Sequence, residues 1–338
     1  MATRVAINGF GRIGRLVLRA IREQSRQDIE LVAVNDRSGL EMNSFLLQHD
    51  STHGAYPGPV EQHEGALEAG LGAPVRFFQK EDPAELPWDE LDIDVALECS
   101  GKFTKREDAG KHLDAGAKRV LVSAPAKGAD LTIVMGVNDD KLAPEHRVIS
   151  NGSCTTNCLA PVVKVMQDTF GIERGYMTTV HSYTGDQRLV DATHKDKRRA
   201  RAGASNMIPT TTGAARAVAE VLPELKGKLD GGAIRVPTLN VSLVDFTFDA
   251  AKPATIESVN DALRSAAGST RLKGVLGIAE EPLVSADFNH TAESSIADIP
   301  ETNVIDDHLV RVVAWYDNEW AFSVRMLDAA AAIGKLDR

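Results

Sequence analysis

The sequence is short of several things, and each shortage excludes a class of protein. It has only 3 cysteines in 338 residues. A secreted domain stapled by disulfides carries more of them, in even number, so a disulfide framework is excluded and the thiols are expected to be reduced. No apolar run approaches the roughly 20 residues that cross a bilayer as a helix. The first apolar run, "RVAING", breaks at glycine almost at once. No secretory h-region is read there, and a cytosolic location is the expectation. Positive charge is also scarce: 38 Lys and Arg stand against 48 Asp and Glu, a net charge of −10. Nucleic acid and anionic membranes are repelled overall, so an anionic substrate has to be held by a local cluster of arginines. The nine histidines are scattered without ligand spacing to Cys or Asp, and no metal is expected.

What is present is ordinary in bulk. Apolar residues make up 43% and charged residues 25%, as in a typical soluble globular chain. The length exceeds what one hydrophobic core serves, which predicts two domains. The first part alternates strand-like and helix-like runs. "RVAIN" is a buried strand, and "GRLVLRAIREQ" has helical spacing at Leu16, Val17, Ala20 and Ile21. "IELVAVND" is a second strand, and 92–101, 117–125 and 131–138 continue the series, with a helical pattern over 105–116 between them. That order predicts an α/β domain with a doubly wound parallel sheet. From residue 154 a helix to about 170 is followed by longer β runs that read as a mostly antiparallel sheet of an α+β domain. The last run, "EWAFSVRMLDAAAAIGKL", reads as a strongly amphipathic helix returning to the first domain. The expected division is 1–153 with 318–338 for binding a dinucleotide, and 154–317 for catalysis.

The glycines of "INGFGRIGR" support that role. Gly9, Gly11 and Gly14 spell G-x-G-x-x-G between a strand and a helix, and Asp36 ends the next strand 22 residues after Gly14. In that context Gly9 allows a tight turn, Gly11 the approach of a pyrophosphate and Gly14 close helix–strand packing. The helix N-terminus offers free N–H groups to the phosphates. Asp36 would accept from the adenosine ribose hydroxyls, which favours NAD, whereas Arg37 could pair with a 2′-phosphate, which favours NADP. The sequence leaves NAD or NADP open.

Two of the three thiols lie in "SNGSCTTNC". Cys154 opens a helical run, where the helix dipole and free N–H groups would depress its pKa and expose a thiolate. Cys158, one turn inward, and Cys99, in a strand, read as packing residues. A nucleophilic cysteine needs a base. The helix 154–170 is roughly 24 Å long at 1.5 Å per residue. The strand 175–181 that follows Gly171 is roughly 23 Å long at 3.3 Å per residue. If the strand runs back along the helix, His181 arrives beside Cys154. A Cys–His pair next to a nicotinamide implies aldehyde oxidation through a thiohemiacetal and a thioester, with the Cys154 N–H serving the oxyanion.

With those residues in place the chain resembles the phosphorylating glyceraldehyde-3-phosphate dehydrogenases over essentially its whole length. "INGFGRIGR", "SCTTNCLAP", "RVPT" and "WYDNEW" carry the resemblance. It implies a homotetramer that oxidises glyceraldehyde 3-phosphate, with inorganic phosphate, to 1,3-bisphosphoglycerate. It implies Cys154 as nucleophile, His181 as base, and Thr184 with Arg235 on the substrate phosphate. Ser153, Thr155, Thr212 and Gly213, with Arg201 nearby, would hold the attacking inorganic phosphate. Arg12 and Ile13 would line the pyrophosphate, Ser123 would lie near the cofactor, and Asn318 would meet the nicotinamide carboxamide. The basic run His194 to Arg201, a solvated face on its own terms, falls in the family's loop that reaches the neighbouring subunit's cofactor. The chain departs from the NAD-specific pattern at Ala192-Thr193, where Leu-Pro is common, which resembles NADP-accepting members; separately, Phe322 stands where the family usually has tyrosine and loses one hydroxyl near the nicotinamide. Glu81, replacing an arginine, would oppose a 2′-phosphate. A related activity, erythrose-4-phosphate dehydrogenase with hydrolytic release, is disfavoured by Thr184 and by "PTTTG".

Overall fold

The computed structural model of the protein describes residues 2–336. The chain forms two compact units: residues 1–135, 139–153 and 322–338 in one, 136–138 and 154–321 in the other.

Among the described residues, nine strands of the first unit form one sheet: Thr3–Asn8 (β1), Ile29–Asn35 (β2), Glu61–His63 (β3), Ala66–Glu68 (β4), Val75–Phe78 (β5), Val95–Glu98 (β6), Arg119–Val122 (β7), Leu131–Thr132 (β8) and Val148–Ser150 (β9). Their order is β3-β4-β5-β2-β1-β6-β7-β9-β8. β1 pairs in parallel with β2 on one side and β6 on the other. The winding therefore reverses between β1 and β6, and in such sheets a ligand crevice opens beyond the carboxyl ends of the strands at that point. The helix Arg12–Glu23 buries Leu16, Val17, Leu18, Ala20 and Ile21, the i, i+3, i+4 face expected of a helix laid on a sheet. Ile7, Leu16 and Leu97 are fully buried, and truncating such side chains to alanine costs about 2–5 kcal/mol.

Three sequence readings change here. The run 131–138 pairs only at Leu131–Thr132, because the chain turns through Gly136 at φ +80°. The helical run 105–116 is split into Arg106–Ala109 and Lys111–Asp114 at Gly110. The last helix, Trp320–Ile333, is buried on nearly every face rather than amphipathic. Its ion-pairing residues, Arg325 and Asp328, face each other at 2.8 Å, and Asp328 also takes Arg26 at 2.7 Å, so the charges are neutralised within the fold.

The second unit holds a mixed seven-stranded sheet: Ile172–Ser182 (β10), Ile208–Thr211 (β11), Leu229–Val236 (β12), Ser242–Ala250 (β13), Leu276–Ala279 (β14), Ser295–Ile305 (β15) and Leu309–Tyr316 (β16), ordered β11-β12-β10-β13-β16-β15-β14. Most pairings are antiparallel, but β10 runs parallel to β12 and β14 to β15. Burial alternates along β13, with Val244, Phe246 and Phe248 inward, the period-2 pattern of a sheet covered on one face. The helix Cys154–Phe170 packs against this sheet. Register places the functional residues: β10 sets His181 opposite Arg235 of β12, and β13 sets Ser242 opposite Tyr316 of β16.

Candidate active site

Cys154 is the first residue of its helix, and His181 is the second-last residue of β10. The path of helix, turn at Gly171 and returning strand closes on itself, and Cys154 Sγ lies 3.6 Å from His181 Nε2. Both are largely withdrawn from solvent, His181 to 4% exposure.

His181 is held on its other side by two groups. Its Nδ1 is 2.7 Å from the Ser182 carbonyl oxygen and 2.7 Å from Arg235 Nη1. The same Nη1 donates to the Ser182 carbonyl at 3.0 Å. A guanidinium nitrogen is a donor only. The Ser182 carbonyl and Arg235 together hold the ring on its Nδ1 side, and Nε2 is the nitrogen that faces the thiol. Burial first, then the positive charge of Arg235, hold the His181 pKa down at about 3. The imidazole is therefore neutral at physiological pH.

The thiol does not follow the expectation of a depressed pKa. Burial raises Cys154 above the ordinary thiol range, and the Arg235 charge, the Thr155 hydroxyl and the N–H groups of Thr155 and Cys154 pull only partly the other way. The helix terminus acts as anticipated, but desolvation of the anion outweighs it. The resting pair is a neutral thiol beside a neutral imidazole. Cys158 is fully buried, 3.5 Å from Ser295 Oγ, with its pKa pushed up to about 12. Cys99 is likewise raised by burial and by Glu98. Cys158 packs in the core, whereas Cys99 is partly exposed and lines a cavity of the first unit.

Tyr316 has no precedent in the sequence reading. Its hydroxyl lies 2.8 Å from Thr155 Oγ1 and 2.9 Å from Thr179 Oγ1, and Thr179 donates to the Leu243 carbonyl at 3.0 Å. Because Thr179 spends its single proton on a carbonyl, Tyr316 must donate to Thr179 and Thr155 to Tyr316. The chain of hydroxyls ties the first turn of the Cys154 helix to β10 and β13. The Tyr316 ring stands edge-on to His181, centroids 5.8 Å apart at 80°.

The remaining anion ligands divide. Arg235 is at the site. Thr184 Oγ1 lies 3.3 Å from Gln187 Oε1, and Thr212 Oγ1 accepts from Ala214 N at 3.1 Å beside Gly213, the N-cap of the next helix. Ser153 is half-buried. Arg201 is exposed and paired with Asp191 at 2.6 Å. Arg199 is the arginine whose charge reaches both His181 and Arg235. It is anchored by Asp186 at 2.5 Å and Thr210 Oγ1 at 2.9 Å. Both arginines lie in one run, and only non-local partners separate their roles. Asn318 accepts from Ser182 Oγ at 2.9 Å and Ser242 Oγ at 2.8 Å through Oδ1. Its oxygen is thus engaged, and the amide nitrogen is the group able to donate to a ligand.

In the first unit a cavity of about 280 Å³ lies at the reversal of the sheet, lined among others by Gly9, Gly11, Asp36, Arg37, Lys80 and Ser100. The residues fit a dinucleotide. A Cβ on Gly9 would lie 2.5 Å from Ser100 Cα, and one on Gly14 would lie 2.2 Å from the Gly9 carbonyl oxygen, whereas the space beside Gly11 is open. No side chain caps the helix at Gly11, which leaves its positive end for an anion. Arg12 extends its guanidinium to Asp50 at 2.6 Å, and Ile13 follows it in the first turn of the helix. Asp36 Oδ2 accepts from Phe10 N and Oδ1 from Ser38 N, both at 2.8 Å. Ser123 directs its hydroxyl at the Cys99 thiol.

A buried polar network underlies this cavity, and no local sequence signal announces it. Glu98 Oε2 accepts from Asn8 Nδ2 at 2.6 Å and lies 3.0 Å from His112 Nε2, while Trp88 Nε1 donates to His112 Nδ1 at 3.0 Å. Trp88 can only donate, so His112 carries its proton on Nε2 and gives it to Glu98. Asn35 Nδ2 extends the network to Asn8 Oδ1 at 2.7 Å.

Among the described residues, no cluster of His, Cys, Asp and Glu could hold a metal, and no helix is long and apolar enough to cross a membrane. The sequence matches two family models: the NAD binding domain of glyceraldehyde 3-phosphate dehydrogenase over residues 3–106, and its C-terminal domain over 153–318. It is 58% identical to the glyceraldehyde-3-phosphate dehydrogenase of Xanthobacter flavus over 99% of this chain and 100% of that one. It is 56% identical to that of Geobacillus stearothermophilus over 98% of both chains. With glyceraldehyde-3-phosphate dehydrogenase 1 of Bacillus subtilis the identity is 54% over 99% of both.

Proposed function

Because this chain belongs to the glyceraldehyde-3-phosphate dehydrogenase family and is a nicotinamide-dependent dehydrogenase, we propose that it converts glyceraldehyde 3-phosphate and inorganic phosphate to 1,3-bisphosphoglycerate through a covalent intermediate on Cys154. The observation that carries this reading is the 3.6 Å approach of Cys154 Sγ to His181 Nε2.

Arg235 and Thr184 take the substrate phosphate, Arg235 by the paired N–H geometry that suits phosphoryl oxygens. His181 Nε2 takes the thiol proton, and the thiolate adds to the aldehyde carbon, forming the C–S bond of a thiohemiacetal. The imidazolium returns its proton to the new oxygen, which the Cys154 N–H also meets at the helix start. When bound, the nicotinamide supplies the hydride acceptor. His181 then removes the hydroxyl proton as the thiohemiacetal carbon is oxidised, leaving a thioester on Cys154. Inorganic phosphate, held by Ser153, Thr212, Gly213 and Arg199, attacks the thioester carbon, and the C–S bond breaks to regenerate the thiolate. Thr155, in the first turn of the Cys154 helix, joins these phosphate ligands. Asn318, with its oxygen engaged, donates through its amide nitrogen to the carboxamide.

NAD is the cofactor we assign. The Asp36 carboxylate is fixed by two backbone donors and cannot swing away from a 2′-phosphate, and Glu81 lines the same cavity. Two like charges 4 Å apart repel by about 4 kcal/mol at an effective dielectric of 20. Arg37 and Lys80 offset part of this. Steady-state kinetics with NAD and NADP side by side, with and without phosphate, test the reading. Turnover of glyceraldehyde 3-phosphate is expected to require added phosphate, with kcat/KM for NAD at least ~10-fold above NADP. Phosphate-independent turnover of erythrose 4-phosphate would replace it with the hydrolytic activity.

A homotetramer is the assembly we assign. Leu189, Val190 and Met207 are 83%, 70% and 74% exposed, alongside Tyr176 at 56%, an apolar surface of the sort that copies of a chain cover in one another. Sedimentation equilibrium is expected to return four copies; a monomeric mass contradicts this assignment.

A further inference from the structure

We propose that Glu98 presets the dinucleotide cavity: its buried carboxylate gathers four donors and so locks the ends of neighbouring strands in the binding-competent arrangement before any cofactor arrives. The proposal rests on the reading of that cavity as the dinucleotide site. Glu98 is not among the cavity's walls, and it acts as a positioning residue through Asn8, Asn35 and Ser100.

Strand register brings the parts together. Asn8, the last residue of β1, stands opposite Asn35 at the end of β2 and opposite Glu98 at the end of β6. The three share the last rung of the sheet, at the reversal where a ligand crevice opens. Asn8, Asn35, Lys80 and Ser100 line that crevice, while Glu98 is withdrawn to 1% exposure.

The direction of the hydrogen bonds is settled from both ends of the network. At one end the main chain of Lys80 orients the Asn35 amide: Lys80 N donates to Asn35 Oδ1 at 2.8 Å, and Asn35 Nδ2 donates to the Lys80 carbonyl at 3.0 Å. The same Nδ2 donates to Asn8 Oδ1 at 2.7 Å, which turns Asn8 Nδ2 towards Glu98 Oε2 at 2.6 Å. At the other end Trp88 Nε1, a donor only, meets His112 Nδ1, and His112 Nε2 donates to the same Oε2 at 3.0 Å. Glu98 Oε1 accepts from Ser100 N at 2.8 Å and from the Ser100 hydroxyl, which itself accepts from Lys102 N at 3.1 Å. Every donation ends on Glu98. Only a group with no hydrogen of its own satisfies that set. An amide in its place must turn an N–H towards either the Ser100 main chain or the Asn8 and His112 donors, and each choice sets donor against donor in a buried site.

A buried polar network with every member satisfied rigidifies what it joins. The cavity wall then needs no ordering when the dinucleotide binds, and that saving appears as affinity. With a donor left unpaired the wall populates other arrangements, and the apparent dissociation constant rises in inverse proportion to the competent fraction.

Two measurements on the full-length protein test this. The first compares wild type with Glu98→Gln by equilibrium titration with NAD and by steady-state kinetics. The dissociation constant and KM for NAD are expected to rise about tenfold, as for a competent fraction of about one tenth, while the KM for glyceraldehyde 3-phosphate stays within about twofold. A residue that serves stability alone lowers the melting temperature and leaves both NAD constants where they were; that outcome overturns the proposal. The second measurement needs only wild type and decides alone if the variant does not fold. It is hydrogen exchange of the Ser100 and Lys80 amides, resolved by fragmentation in the mass spectrometer, with and without NAD. Both amides are expected to exchange at least ~10²-fold more slowly than in an unstructured chain before any dinucleotide is added. Free exchange that only NAD suppresses contradicts a preset wall, because the cofactor would then do the ordering. Wild type that binds neither NAD nor NADP fails the cavity assignment first, and the proposal with it.

Discussion

Replacing Cys154 by Ser is expected to cut oxidation of glyceraldehyde 3-phosphate by at least ~10³-fold while leaving dinucleotide affinity within about threefold of wild type. The substitution removes one polarisable atom and keeps the side chain's size. A serine hydroxyl ionises far above any thiol, and the neutral His181 cannot generate the alkoxide that addition to an aldehyde needs. The cofactor cavity is built from Gly9, Gly11, Asp36 and their neighbours in the first unit, whereas Cys154 belongs to the second, so binding should persist. Stopped-flow formation of reduced dinucleotide and equilibrium binding of NAD together check both halves. Activity within tenfold of wild type would remove the covalent route.

His181→Asn should lose about 10²- to 10⁴-fold in kcat near neutral pH. Asparagine can occupy the β10 position and donate to the Ser182 carbonyl, but it cannot accept and return a proton. Two steps lose their base: thiolate formation and removal of the thiohemiacetal hydroxyl proton. Raising the pH should restore part of the first, because the Cys154 thiol, lifted by burial, ionises by itself only in the alkaline range. The variant's profile should therefore climb with pH where the wild type has levelled off. A loss of less than threefold at pH 7, with an unchanged profile, would leave His181 a structural residue. The hydroxyl chain through Tyr316 does not run through His181, so folding is expected to survive.

The parts of the site readable from the sequence were those fixed by local geometry or by the path of a single stretch of chain. The glycine fingerprint and Asp36 fall within one strand–helix–strand unit. Cys154 and His181 are joined by one helix and one strand of matched length. The parts that were not readable depend on strand register or on burial. Tyr316 reaches Thr155 and Thr179 only because β16 and β10 both pair with β13. Arg199 and Arg201 are two residues apart in one basic run, and only the folded chain gives them different partners, Asp186 and Asp191. The helix terminus at Cys154 implied an acidic thiol, but the desolvation that reverses the sign is a property of the packed unit. Glu98, His112 and Trp88 meet across separate elements, with no spacing to reveal them. The final helix read as amphipathic because periodicity cannot tell a half-covered helix from one covered on all sides.

The central claim is that a carbon–sulfur bond forms on Cys154 during turnover. Mixing the protein with NAD and glyceraldehyde 3-phosphate in phosphate-free buffer, quenching in acid and mapping the product by mass spectrometry tests it. One 3-phosphoglyceroyl group per chain is expected on the Cys154 peptide, discharged when inorganic phosphate is added before the quench. Stoichiometric reduced dinucleotide with no acyl group on that peptide would contradict the account.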